Sequence, residues 1–312
     1  MSNSVPHEHP IDASTRYCAV LGCPIRHSAS PALQNAGIAA LRLNWRYLAL
    51  AVEPERLPEV LRGASSMGFV GLNLTVPHKI LAMDLVDELD GSARQWGAVN
   101  TIKFEAETAP GIWTSLAKED PPAGVRIRSV GYNTDADAII RSLQEDLELT
   151  VEGSSAVVLG AGGAGAVAAQ RLAMGGVDHL YLVNRTVSKA EKVASQILAH
   201  NPSQHVEVGY PAPGKKVDLV LNATSLGLKP GDAIPWDPGA LDLGQATHAY
   251  DMIYRPAETP FLQAARKAGC RVANGMGMLL YQGARALEIW SGQTAPVETM
   301  RSALRQHLEA HP

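Results

Sequence analysis

Apolar and polar positions along the first half of the chain switch repeatedly between two periods. Tyr17–Ile25, Trp45–Val52, Phe69–Val76 and Val99–Phe104 read as strands, whereas Pro31–Leu41, Glu55–Met67 and Lys79–Leu89 carry helical spacing. In the last of these the apolar set is Ile80, Met83, Val86 and Leu89. Ser30 is expected to cap the first helix, with Pro31 at its first position. Strands separated by helices of about ten residues predict an α/β sheet, mostly parallel. The stretch Glu105–Arg128 breaks the rhythm with Pro110, Gly111, Pro121, Pro122 and Gly124 and has no sustained period, so it is expected to be a functional or flexible insertion. A helix resumes over Asp135–Leu147.

A second alternation follows. Ser155–Leu159, His179–Val183, Val217–Asn222, Ala246–Ile253 and Arg271–Ala273 read as strands, and Ala164–Met174, Ser188–Ala199 and Thr259–Gly269 as helices. The chain closes on two helical patterns, Met276–Trp290 and Pro296–His307, with no strand between them. At roughly 150 residues per domain, the 312 residues suggest two domains.

Composition narrows the class. Apolar residues make up 46% and charged residues 19%, an ordinary globular balance. Lys and Arg number 27 against 31 Asp and Glu, a net charge of −4, which offers no basic excess for nucleic acid. Cys18, Cys23 and Cys270 are too few and too scattered for a disulfide framework, so a reducing cytoplasm is the expected compartment. Residues 1–14 read as a flexible tail without the apolar core of a secretory signal. His7 and His9 fall short of a metal-ligand set, and no metal is expected. The longest uncharged run, Gly153–Gln170, holds five glycines and suits a buried strand-turn-helix better than a bilayer span, so no membrane partner is expected.

That run carries the first chemistry. Gly160-Ala-Gly162-Gly-Ala-Gly165 directly follows an apolar strand and opens a helix, the context a dinucleotide turn requires. Gly160 permits the tight turn, Gly162 lets the backbone approach a pyrophosphate, and Gly165 allows close helix–strand packing; Ala161, Gly163 and Ala164 complete the cradle. The helix N-terminus meets phosphate charge with unpaired N–H groups. After the next strand, where an NAD site places an acid, stand Asn184-Arg-Thr186, with Lys189 and Lys192 beyond. A guanidinium grips a 2′-phosphate bidentately and an acid repels it. A charged hydrogen bond of about 1.5–3 kcal/mol would favour NADP by roughly 10- to 150-fold.

In the first half, polar groups gather at strand ends and turns: Ser28 and Ser30; Asn73 and Thr75 before Pro77-His-Lys79; Asn100-Thr101; and Asn133-Thr134-Asp135. Ligands of open α/β sheets sit outside the carboxyl ends of strands, and neutral donors and acceptors suit a ligand with several hydroxyls. Singly, such residues are also ordinary caps and turn formers. Lys79 and Asp135 are the charged members. A lysine beside an aspartate can supply the proton that a ketone oxygen needs as hydride reaches its carbon. His78 reads as structural.

Nine ordered segments resemble the shikimate dehydrogenase family: Gly22-Cys-Pro-Ile-Arg-His-Ser-Ala-Ser-Pro31, Asn73-Leu-Thr-Val-Pro-His-Lys79, Gly97-Ala-Val-Asn-Thr101, Gly131-Tyr-Asn-Thr-Asp135, Gly160–Gly165, Asn184-Arg-Thr186, Asn222-Ala-Thr-Ser225, Asp251-Met-Ile-Tyr254 and Gly275-Met-Gly-Met-Leu-Leu-Tyr-Gln282. The likeness runs over about 17–292. It implies reversible NADPH-dependent reduction of 3-dehydroshikimate to shikimate, in the aromatic amino-acid (chorismate) pathway. It further implies that Ser28 and Ser30 hold the substrate carboxylate; that Asn73, Asn100 and Gln282 bond the ring hydroxyls, with Thr75 and Tyr254 nearby; and that Lys79 and Asp135 are the catalytic pair. Asn184, Arg185 and Thr186 match the residues that bind the 2′-phosphate, with Lys189 close by, and Thr224, Gly275 and Met278 match residues near the nicotinamide. The implied architecture is two α/β domains with a cleft between them: a discontinuous substrate-binding domain of 15–135 and 276–312, and a Rossmann-like NADP domain of 136–275. A homodimer is compatible with it.

Three departures stand out. Gln34-Asn35 replaces a His-Asn pair, Ala286 or Leu287 stands where an aromatic is common, and Glu105–Arg128 replaces a short hairpin. The first two read as packing; the insertion could shape substrate entry or decorate a rim. Quinate/shikimate and aminoshikimate dehydrogenases are rivals within the class. A non-catalytic sensor of pathway metabolites is a rival outside it, which the presence of Lys79, Asp135 and the glycine turn disfavours.

Overall fold

The computed structural model describes residues 9–118, 121 and 123–311. Most of the expected tail, including His7, therefore lies outside the described residues. The chain divides into two compact units: one holds the chain up to Asp135 together with Leu280–His311, the other Ala136–Leu279.

The first unit starts with β1 (Arg16–Gly22), α1 (Ser30–Ala40), β2 (Trp45–Ala51), α2 (Leu57–Ser66), β3 (Gly71–Leu74) and α3 (His78–Leu81). Then come β4 (Glu88–Leu89), α4 (Gly91–Trp96), β5 (Thr101–Ala109), β6 (Ile112–Ser115) and β7 (Ile127–Tyr132). The strands lie in the order β2-β1-β3-β5-β7-β4, with β6 added to β5. Pairing is parallel at β2/β1, β1/β3 and β4/β7, and antiparallel wherever β5 takes part. Six of the seven strands thus run in one direction and β5 alone is reversed, so the sheet is mostly parallel, as expected. The reversal of β5 is local in origin: the Pro110–Gly111 turn returns the chain from β5 to β6, and antiparallel neighbours need no crossover helix.

Two expectations fall here. The helix expected over Lys79–Leu89 ends after one turn and passes through a 3₁₀ turn (Ala82–Asp84) into β4. Asp87 explains it: its carboxylate accepts from Ser129 N and Oγ at 2.7 Å each, and its own N–H donates to Ser129 Oγ at 3.0 Å. That pairing pulls the segment onto β7 and overrides the spacing. The insertion is not structureless either. Pro110 and Gly111 form the two-residue turn of the β5–β6 hairpin, Gly111 at φ +74°. Glu105 and Arg128 are cross-strand partners of the β5–β7 ladder.

The second unit contains α5 (Asp135–Leu147, from its second residue), β8 (Ser155–Leu159), α6 (Gly163–Met174), β9 (His179–Val183), α7 (Val187–His200) and β10 (His205–Val208). It continues with β11 (Val217–Asn222), β12 (Ala246–Asp251), α8 (Pro260–Lys267) and β13 (Arg271–Asn274). The strand order β10-β9-β8-β11-β12-β13 is parallel throughout, a doubly wound sheet whose direction of winding reverses at β8. Helices cover both faces, so β8 and β11 are almost continuously apolar and buried.

The unit boundary falls inside α9 (Met276–Ser291), after which α10 (Val297–Ala310) ends the fold. The later part of α9 packs on the first sheet: Trp290 is buried and its Nε1 donates to Ile102 O at 2.9 Å. Gly71 makes room for it, since a Cβ there would lie 2.1 Å from Trp290 Nε1. Gln34 is also fully buried, donating through Nε2 to Gly283 O at 2.9 Å. Ala286 and Leu287 are likewise buried. Among the described residues no helix is long and apolar enough to cross a membrane.

Candidate active site

The segments that follow β3 and β7 carry the charged pair, Lys79 in α3 and Asp135 at the start of α5. Lys79, in the single turn of α3, places Nζ 2.6 Å from Asp135 Oδ2. Asp135 opens α5, where a carboxylate gains from the helix dipole, and its N–H is held by Asn133 Oδ1 at 3.1 Å. Lys79 is anchored through its carbonyl, which accepts from Val99 N at 2.8 Å. The next side chain, His78, is fully buried. Burial holds its pKa below the ordinary value.

A polar lattice supports the pair. Asn100 donates through Nδ2 to Thr134 Oγ1 at 3.0 Å and accepts from Thr134 N at 2.8 Å, and Thr134 Oγ1 donates to Gln282 O at 3.1 Å. Asn73 donates through Nδ2 to Asn100 O at 3.2 Å and to Thr101 Oγ1 at 3.0 Å, and it accepts from the Tyr47 hydroxyl at 2.7 Å. Both N–H groups of Asn73 are therefore used within the protein. Ser30 begins α1 rather than capping it: the cap position is Ala29, with no side-chain cap bond, and Ser28 Oγ instead accepts from Ser30 N at 3.3 Å. Thr75 is half-buried, and a Cβ on Gly22 would come within 2.5 Å of its Cγ2. Lys79, Asp135, Asn73, Asn100, Gln282, Ser28, Ser30 and Thr75 all belong to the first unit.

The second unit holds the glycine turn. Gly160 sits at φ +105°, open to glycine and strained for other residues. A Cβ on Gly165 would fall 2.0 Å from Gly160 O, so only glycine permits that packing. Gly162 and Gly163 face open space, and Gly162 is the N-cap of α6, with no side-chain cap bond. The turn thus leaves helix N–H groups and room for a pyrophosphate, and the residues present fit a dinucleotide. Asn184 Oδ1 accepts from Ala161 N at 2.9 Å, and Asn184 Nδ2 donates to Thr186 O at 2.8 Å, locking the end of β9 to the glycine turn. Arg185, Thr186 and Lys189 are exposed, and among the described residues neither cation is ion-paired. No acid stands at this strand end. The same residues would hold a 2′-phosphate. Among the described residues no cluster of metal-binding side chains occurs.

Residues 20–102 match the shikimate dehydrogenase substrate binding domain, 142–226 the shikimate / quinate 5-dehydrogenase model, and 275–305 the shikimate 5′-dehydrogenase C-terminal domain. A shikimate dehydrogenase (NADP(+)) of Methanopyrus kandleri is 38% identical over 303 residues, covering 96% of this chain and 98% of the relative. The chain belongs to the shikimate dehydrogenase family. A crystal structure of a shikimate dehydrogenase in complex with NADP+ aligns with a TM-score of 0.82 at 34% identity, covering 97% of this chain and 99% of that one. The ligand-free 5-ketofructose reductase of a Gluconobacter strain aligns at 0.77 with 30% identity, covering 95% and 100%.

Within this shikimate dehydrogenase family member, Tyr47 carries no motif in the sequence. Its only signal is an inward position in an alternating strand, yet it is buried against Asn73, and burial pushes its pKa well above the usual phenol value. Tyr254, Thr224, Gly275 and Met278 lie in the second unit, at or beyond the ends of β11, β12 and β13.

Proposed function

We propose that this protein is a shikimate dehydrogenase that uses NADP(H), reversibly reducing 3-dehydroshikimate to shikimate. The observation that carries the reading is the Lys79–Asp135 pair at 2.6 Å, set in a lattice of asparagine and threonine side chains. The cofactor supplies hydride to the ketone carbon. As negative charge grows on the ketone oxygen, the Lys79 ammonium donates its proton there, and in the oxidative direction neutral Lys79 takes the hydroxyl proton back. Asp135 holds Nζ in place through the ion pair. Ser28 and Ser30 receive the substrate carboxylate, while Thr75, Asn100 and Gln282 face the ring hydroxyls, with Asn73 bracing them and Tyr254 close by. Asn184, Arg185, Thr186 and Lys189 take the 2′-phosphate.

A shared fold hosts several activities, so the substrate is argued from these side chains and the full-length relatives. Quinate is the second reading, favoured by the matched model whose name covers both acids. The proposal extends to the cytoplasm, which suits the three free cysteines, and to a homodimer through the edge strand β2, where Leu48 and Leu50 are exposed. The test is a spectrophotometric panel of shikimate, quinate and aminoshikimate, each with NADP+ and NAD+. Fastest turnover with shikimate and NADP+ is expected. Turnover with quinate alone would move the assignment, and turnover with none would leave a metabolite sensor. Light scattering at micromolar concentration decides between monomer and dimer.

A further inference from the structure

Asp251 ends β12 wholly buried, and among the described residues no cation pairs with it. Its Oδ1 accepts from Asn222 Nδ2 and from Ile253 N, each at 3.0 Å, and its Oδ2 accepts from the Thr259 hydroxyl at 2.6 Å. Burial raises the carboxyl pKa above its ordinary value, and the three neutral donors oppose that rise. A buried acid held only by neutral groups is a poor device for stability, which directs attention to what its donors hold.

Each donor belongs to a separate piece of the strand-end surface. Asn222 Oδ1 accepts from Thr224 N at 3.0 Å and from Thr224 Oγ1 at 2.7 Å, closing the turn after β11. That turn abuts the glycine loop: a Cβ on Gly160 would lie 3.0 Å from Thr224 Cγ2. Ile253 precedes Tyr254, and its carbonyl accepts from Gly275 N at 3.2 Å. A Cβ on Gly275 would fall 2.1 Å from Met252 O, so those two segments are in direct contact. Thr259 caps α8 by accepting from Leu262 N at 3.3 Å. Thr224, Tyr254 and Gly275, three residues expected around the reacting end of the cofactor and substrate, are thus tied to one carboxylate. Asn184 at the adenosine end has its own bonds, to Ala161 and Thr186, and none to Asp251.

We propose that Asp251 is a positioning residue: it clamps the Thr224 turn to the Met252–Tyr254 segment and so fixes the surface that receives the nicotinamide half of NADP. The inference rests on the NADP reading above. The test is calorimetry without substrate, titrating wild type, Asp251→Ala, Asp251→Asn and Asn222→Ala with NADP+ and with 2′,5′-ADP, which carries only the adenosine end. In Asp251→Ala we expect NADP+ affinity to fall about tenfold and 2′,5′-ADP affinity to stay within about twofold, the sign of a local rather than global change. Asn222→Ala cuts the same tie and should repeat that split, so the clamp is tested even if Asp251→Ala does not fold. Asp251→Asn keeps the Oδ1 acceptor and should recover NADP+ affinity to within about threefold of wild type. Unchanged NADP+ affinity in a folded Asp251→Ala or Asn222→Ala, or equal weakening of both ligands, overturns the positioning role. Failure of wild type to bind either ligand overturns the NADP reading itself, and this inference with it.

Discussion

The Lys79 ammonium and the Asp135 carboxylate meet at 2.6 Å although 56 positions separate them in the chain. With 31% of the lysine side chain and 14% of the aspartate exposed, the pair is shielded yet open to a ligand. Lys79→Ala should lower kcat by about 10²- to 10⁴-fold with the KM for shikimate little changed, because a proton donor acts mainly in the transition state. Steady-state kinetics check this, and a wild-type kcat would remove Lys79 from the chemistry.

Arg185 is exposed beyond β9, and among the described residues no carboxylate pairs with it. Arg185→Ala should raise the KM for NADP+ by roughly 10- to 150-fold, the worth of a charged hydrogen bond, and change that for NAD+ much less. Equal shifts for both cofactors would show that the guanidinium does not read the 2′-phosphate.

The doubly wound unit is almost fully legible in the sequence because local and global signals agree there. Its strands are short apolar runs, its helices start and stop on visible residues, and Gly160–Gly165 stands between β8 and α6. Only β10, a four-residue edge strand, leaves no pattern. The first unit is harder because long-range bonds decide it. Nothing near Asp87 in the sequence announces Ser129, and Tyr47 looks like any inward strand residue until its hydroxyl meets Asn73. Helix α4 does carry a short local signal: Asp90 caps it through Ser92 N, and Gly97 ends it at φ +62°. Pro110 and Gly111 read as chain breakers, whereas within a sheet the same pair makes a hairpin. Asn73 and Asn100 show the same limit at the site, since their places at strand ends and the family resemblance suggest ligand groups, whereas only the fold reveals how far their amides are engaged with neighbours.

Acid should weaken the fold through His78. Burial holds its pKa below the ordinary 6.5, against the pull of the Val52 backbone and of Glu53, so the folded chain resists a proton that the unfolded chain accepts. Stability from this residue is complete above about pH 6.5 and declines as pH falls from there toward the lowered folded value. Urea unfolding from pH 7.5 to 5 should therefore show a falling midpoint, and His78→Gln should flatten its slope. An identical slope in the variant would assign the acid sensitivity to other groups.

The described part of the insertion belongs to the scaffold and points away from Lys79. Thr101 pairs with Asn73 and Tyr132 beside the site, whereas Ala106 pairs with Ile127 further along, and the Pro110–Gly111 turn lies beyond that. At ~3.3 Å per residue the turn is roughly 25–30 Å along the strand from Thr101. An ionic cluster fastens it: Arg128 donates through Nε and Nη2 to Glu105 Oε2 at 3.0 and 2.7 Å, Lys103 reaches Glu105 Oε1 at 2.7 Å, and the guanidinium lies 4.4 Å from the centre of the Trp113 ring. Burial alone would raise the Glu105 pKa, yet the two cations hold it below the ordinary value. Arg128→Leu leaves Glu105 with Lys103 as its one close cation and should cost about 1–3 kcal/mol of stability, seen as a lower melting temperature. Because the cluster sits away from the reacting groups, kcat and the KM for shikimate should stay within about twofold of wild type, as expected for distant, independent sites. A large fall in kcat with little change in melting temperature would instead make the insertion part of the active-site machinery.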